Sequence, residues 1–162
     1  MNKLHTALGV SRIAMGWIFL WAFLDKLFGL GFATAAEKAW LAGGSPAAGF
    51  LNFATKGPFG EIFKSMAGSV LVDWLFMIGL LGIGVALILG IATRLATCAA
   101  MLMLALMYLA GFIPPEHNPV IDDHIMYILI LFVLYYGDAG DYLGFGKAWK
   151  KTKLANKVKC LR

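Results

Sequence analysis

An all-α, membrane-embedded four-helix bundle is the fold class predicted for this sequence, and three observations predict it. Of its 162 residues 60% are apolar and only 14% charged, and the mean hydropathy is +0.78, far from the average of soluble domains. Three apolar runs, residues 13–32, 70–89 and 95–112, are each long enough to cross a hydrocarbon layer of roughly 30 Å. A fourth run, residues 125–136, follows directly on His117-Asn118-Pro119-Val120-Ile121-Asp122-Asp123-His124. The expected layout is a four-helix transmembrane domain over residues 1–146, with spans at about 11–32, 70–90, 95–112 and 121–137, and a basic tail at 147–162.

In the first span only Asp25 and Lys26 interrupt the apolar run. Lys3, Arg12 and the Ala33-Thr34-Ala35 triplet also fit a signal peptide, but the charged pair and the length favour a retained helix. The connection over residues 33–69 is too apolar to be an idle linker. It reads as amphipathic pieces at 35–42 and 47–55, broken by Gly43-Gly44-Ser45-Pro46 and by Gly57-Pro58. Long external loops of this kind commonly act as lids or docking surfaces.

The second span carries a single charge, Asp73, and Gly79, Gly82 and Gly84, which suit close helix packing. Gly90-Ile91-Ala92-Thr93-Arg94 is a short hairpin into the third span, which has no charge. Pro114, Pro115 and Pro119 then stop and stiffen the link to the fourth. Twelve apolar residues make only about 18 Å of helix. To span, the fourth helix must draw Asp122, Asp123 and His124 into or beside the membrane edge, where ionisable groups are costly and usually serve a site.

Seven of the fourteen Lys and Arg lie in the tail, with Lys3, Arg12 and Arg94 the remaining basic residues of the same side. The positive-inside rule therefore puts both termini in the cytoplasm of a multi-pass cell-membrane protein. The tail suits anionic headgroups rather than nucleic acid, since only Trp149 interleaves aromatic surface with its charges. Cys98 and Cys160 sit in different regions and form no disulfide framework or C-x-x-C motif.

In this topology the ionisable side chains converge. Asp25 is about 18 Å along the helix from Ile13, so Asp25, Lys26, Asp73, Asp122, Asp123 and His124 all reach the outer layer. Asp123 and Tyr127 are one turn apart on one helix face, where an acid and a phenol can exchange a proton. Asp73, Asp123, His124 and Tyr127 are the candidate catalytic residues, and Asp25, Lys26, Asn118 and Asp122 the candidate substrate-binding residues. Structural roles compete with these: Asp122 is suited to capping the fourth helix, and Asp25 or Lys26 to snorkelling or pairing with a neighbouring helix. His117, His124 and Asp123 could in principle ligate zinc or iron, but His5 lies at the opposite end, and neither a metal nor a tightly bound cofactor is expected.

Three segments also carry a family resemblance. Arg12 with Gly16 and the Asp25-Lys26-Leu27 step, the stretch from Gly79 ending in Gly90-Ile91-Ala92-Thr93-Arg94-Leu95, and Asn118-Pro119-x-x-Asp122-Asp123-His124-x-x-Tyr127 together resemble the DoxX/DoxD family of small four-helix membrane proteins. The resemblance runs from about residue 11 to 147. It implies a membrane redox protein, such as the DoxD-type subunit of thiosulfate:quinone oxidoreductase, with Lys26, Asp73, Asp123 and His124 as functional positions. It further implies membrane quinone as a co-substrate and a DoxA-like or other redox chain as partner; apart from the resemblance, the lipid bilayer and a second copy of the chain are the other expected partners. The competing functions are a non-catalytic membrane anchor for soluble redox enzymes and, third, a small transporter, against which the lack of internal repeats counts.

Overall fold

Asn2 and Gly29 set the limits of the first helix. The Asn2 side chain accepts a hydrogen bond from the His5 amide at 3.0 Å, and Gly29, left-handed at φ 68°, closes α1 (Lys3–Phe28) through its N–H to the Asp25 carbonyl. The expected first span, 11–32, is thus displaced: α1 starts well before residue 11 and ends at Phe28, because the backbone reverses at Gly29. The computed structural model describes residues 2–111 and 120–161, apart from the side chain of Lys159. The long connection contains two 3-10 turns, Ala36–Lys38 and Trp40–Ala42, and the short helices α2 (Ala48–Phe53) and α3 (Gly60–Lys64). Then come α4 (Val70–Leu89), α5 (Thr93–Ala110) and α6 (Asp123–Tyr136), and finally α7 (Gly146–Trp149) and α8 (Lys153–Lys157). No strand occurs among the described residues.

α1, α4 and α5 are long and apolar enough to cross a membrane. Their outward faces are apolar as well, with Ile18, Val70, Trp74, Ile78 and Leu102 all exposed, which suits a lipid bilayer and not water. α6 has 14 residues, about 21 Å of helix, and is the short apolar helix of the set. α1 packs on α4, α4 on α5, α5 on α6 and α6 back on α1, around a core that includes Met15, Phe19, Met77, Leu87, Leu104 and Leu131.

α1 and α4 run antiparallel with their backbones nearly touching. A Cβ on Gly16 would lie 2.8 Å from the Ile88 nitrogen, and one on Gly84 would lie 2.7 Å from the Leu20 nitrogen. Of the glycines expected to serve packing, Gly84 does so against backbone, Gly79 faces only the flexible end of Met103, and Gly82 faces open space.

The end of this packing is fastened by Arg12, which is fully buried. Its guanidinium donates to the Ala139 carbonyl at 3.1 Å, to the Leu87 and Ile88 carbonyls at the end of α4, and to Tyr142 and Leu143 at 3.1 and 3.0 Å. The neighbouring backbone closes in so tightly that a Cβ on Gly140 would lie 2.3 Å from Thr93 Oγ1. The left-handed residues other than glycine among those described, Ala92, Asp138 and Leu143, all lie at this end. Each costs of order 1–3 kcal/mol and persists only because its surroundings over-determine it.

His5 stacks on Tyr142 with ring centroids 4.1 Å apart, so the start of α1 and the segment after α6 share this end. The basic tail is more than a loose extension. Trp149 Nε1 donates to the Leu161 carbonyl, Ala155 is fully buried, and the 3-10 turn Lys159–Leu161 packs on α5. Asp138 and Asp141 take up charge from the tail and hairpin through Arg94 at 3.3 Å and Lys150 at 3.3 and 2.9 Å.

Removing one partner from a buried charged network typically costs about 3–5 kcal/mol. Arg12→Leu is therefore expected to lower the thermal unfolding temperature in mild detergent severely, and Arg12→Lys to recover only part, since one ammonium cannot reproduce the planar fork. Gly84→Val is expected to be as damaging as Gly82→Ala is harmless, both read by the same unfolding scan.

Candidate functional site at the loop end

The end opposite Arg12 holds the ionisable residues singled out in the sequence, and the structure divides them. Asp25, 2% exposed, sits in the last turns of α1 with its carboxylate turned toward the returning chain. Its two oxygens accept from the backbone N–H groups of Phe32 at 3.1 Å and Ala33 at 3.0 Å. A buried carboxylate needs such donors, and here backbone supplies them.

Asp73, in the first turn of α4 and also buried, holds the middle of the same connection. One oxygen accepts from the Ser45 hydroxyl at 2.9 Å and from the Ala47 N–H at 3.0 Å. Beside it Trp40 packs edge-on against Trp74, centroids 4.7 Å apart. Lys56 N–H donates to the Ala110 carbonyl at 2.9 Å, so the far part of the connection is tied to the end of α5. Residues 33–69 are thus pinned at Asp25, Asp73 and Ala110.

Lys26 is half-buried and lies over the Phe76 ring, 5.9 Å from its centroid. It forms no ion pair within 4 Å among the described residues. At the start of α6, Asp122 is the N-cap: one carboxylate oxygen accepts from the Ile125 N–H at 3.1 Å and the other lies 2.7 Å from His124 Nδ1. Both side chains of this pair are nearly a third exposed. Asp123 is exposed, whereas Tyr127 packs against the core. No hydrogen bond joins Asp123 to Tyr127 among the described residues. Asn118 and His117 lie outside the described residues.

Lys26, Asp73 and Asp123 are not among the residues that line two apolar cavities in the bundle. One, about 430 Å³, is an apolar cleft between α4 and α5 roofed by α2, α3 and Met66. Another, about 360 Å³, lies between α1 and α6. No group of three or more His, Cys, Asp or Glu is placed to hold a metal ion among the described residues. Sequence reasoning missed Ser45 as the partner of Asp73, Arg12 as a buried fastener and the cleft. A serine within a Gly-Gly-Ser-Pro break was the one available signal for the first.

Comparison with protein-family models, with curated proteins and with solved structures gives no match to this chain.

If Asp73 works by holding the connection, Asp73→Ala will expose residues 43–68 to limited proteolysis while Asp73→Asn, which keeps an acceptor oxygen, will protect them almost as well as Asp. Asp122→Ala removes a helix cap and is expected to cost about 1 kcal/mol, seen as a small drop in unfolding temperature.

Proposed function

We propose that the chain is a DoxX/DoxD-like integral membrane protein of the cell membrane, a four-helix bundle with cytoplasmic termini, serving as the membrane subunit of a redox complex such as thiosulfate:quinone oxidoreductase. The carrying observation is the Asp122–His124 pair at 2.7 Å, a carboxylate and an imidazole at an accessible helix start; Lys26, over Phe76 near the loop end of α1, makes no ion pair among the described residues. Quinone reduction takes two electrons and two protons. In this reading the electrons come from the sulfur oxyanion through a partner redox chain, and His124, oriented by Asp122, passes protons to the reduced quinone. Lys26 offsets the charge of the oxyanion.

A second reading, a non-catalytic anchor for soluble redox enzymes, is favoured by a different observation: both Asp25 and Asp73 spend their carboxylates on the connecting segment. The complex purified in mild detergent distinguishes the two. Under the first, His124→Gln lowers thiosulfate-dependent quinone reduction about a hundredfold, the usual scale for loss of a general acid, with bound partner unchanged. Under the second, turnover is untouched by His124→Gln, and replacing Lys151, Lys153 and Lys157 by Glu strips the partner from the membrane.

A further inference from the structure

We propose that the cleft between α4 and α5 holds an acyl chain of an anionic phospholipid, with the phosphate seated at Lys56; this rests on the bilayer placement above, not on the redox reading. The cleft is lined by Phe50, Phe63, Met66, Phe76, Met103 and Met107 among others, and no lining side chain is a hydrogen-bond donor. A quinone ring would leave its carbonyls unpaired there, which is costly in an apolar site. A hydrocarbon chain would not. Methionine and phenylalanine side chains adapt their shape to a flexible chain, and the volume falls within the range of small-molecule sites.

The walls are fixed before any ligand arrives. Ala47, at one edge, is held by Asp73, and Ala110, at the other, accepts from the Lys56 N–H. That second bond sets Lys56 at the outer mouth. Its side chain is exposed and makes no ion pair among the described residues, and Lys64, next to the lining residue Phe63, is paired only with the exposed Glu61 at 3.1 Å. Among the described residues the roof therefore presents Lys56 and Lys64 against Glu61 above an apolar slot, the charge pattern that suits an acidic headgroup over its own chain.

The test is native mass spectrometry of the detergent-purified full chain titrated with phosphatidylglycerol or with phosphatidylcholine of the same acyl chains. The parent protein is expected to keep one phosphatidylglycerol with an affinity about fivefold above phosphatidylcholine, the preference that one lysine at a lipid surface confers. Lys56→Glu should erase that preference, and Ala99→Trp, filling the cleft from an exposed position, should remove the retained lipid of either kind. Leu102→Phe is a second filling variant should Ala99→Trp not fold. Equal retention of both lipids by the parent, an unchanged preference in Lys56→Glu, undiminished lipid in the filled variants, or a prenyl quinone in place of phospholipid would each overturn the proposal. Alkaline extraction of the source membranes reads the bilayer placement separately, and thiosulfate oxidation reads the redox role.

Discussion

The carbonyl groups at the end of α4 impose the constraint that the rest of the fold answers. The last four carbonyls of any helix lack partners within it, and near an apolar layer water cannot be relied on to serve them. Here the Ala86 carbonyl accepts from Gly90 and Ile91, and that of Leu89 from Phe145 at 2.8 Å. The Leu87 and Ile88 carbonyls are taken by Arg12. Because Arg12 belongs to α1 and also binds the chain that follows α6, three segments distant in sequence meet at one guanidinium. No acid neutralises it among the described residues. Its charge is met by carbonyl dipoles and by the negative end of α4, and the glycines and left-handed residues nearby are the geometric cost of that approach.

The loop end solves the mirror-image problem with anions. Asp25 and Asp73 satisfy backbone N–H groups of the returning chain, where Arg12 satisfies carbonyls. A cation on oxygen at one end and carboxylates on nitrogen at the other let irregular backbone lie against apolar helices with its polar groups paired. This arrangement bears on function. A carboxylate already accepting two donors is poorly placed to bind a substrate, which sets Asp25, Asp73 and Asp122 apart from Lys26 and from the partly exposed His124 ring at this end.

Much of the helical framework was legible because hydrophobic run length is a strong signal: residues 70–90 and 95–112 are close to α4 and α5, and the 121–137 span contains α6. The first boundary was misplaced because an apolar count cannot see that Gly29 turns left-handed or that Lys3 to Val10 continue the helix. The candidate site was legible only as a collection. Depth along each helix brought Asp25, Lys26 and Asp73 to one end, but their partners, Phe32, Ala33, Ser45 and Ala47, come from a connection whose path no periodicity encodes. Asp122 carried its own signal as an N-cap. Arg12 carried a misleading one, since a basic residue near the start of a first span reads as a topology marker, whereas its burial depends on a segment some 130 residues later.

Intramembrane charge is expensive enough that it invites a functional reading by default, yet two of the acids here are explained by backbone they hold. The distinction matters because α4 joins both kinds of feature within one turn. Asp73 fixes Ala47 at the edge of the lipid-facing cleft, and Phe76, three residues on, lines that cleft while its ring lies under the Lys26 ammonium. A chain entering the cleft packs against the same ring that Lys26 rests on. The occupancy of the apolar slot and the position of the Lys26 ammonium are therefore coupled through a single aromatic side chain, and the polar end of this protein cannot be understood apart from the hydrocarbon beside it.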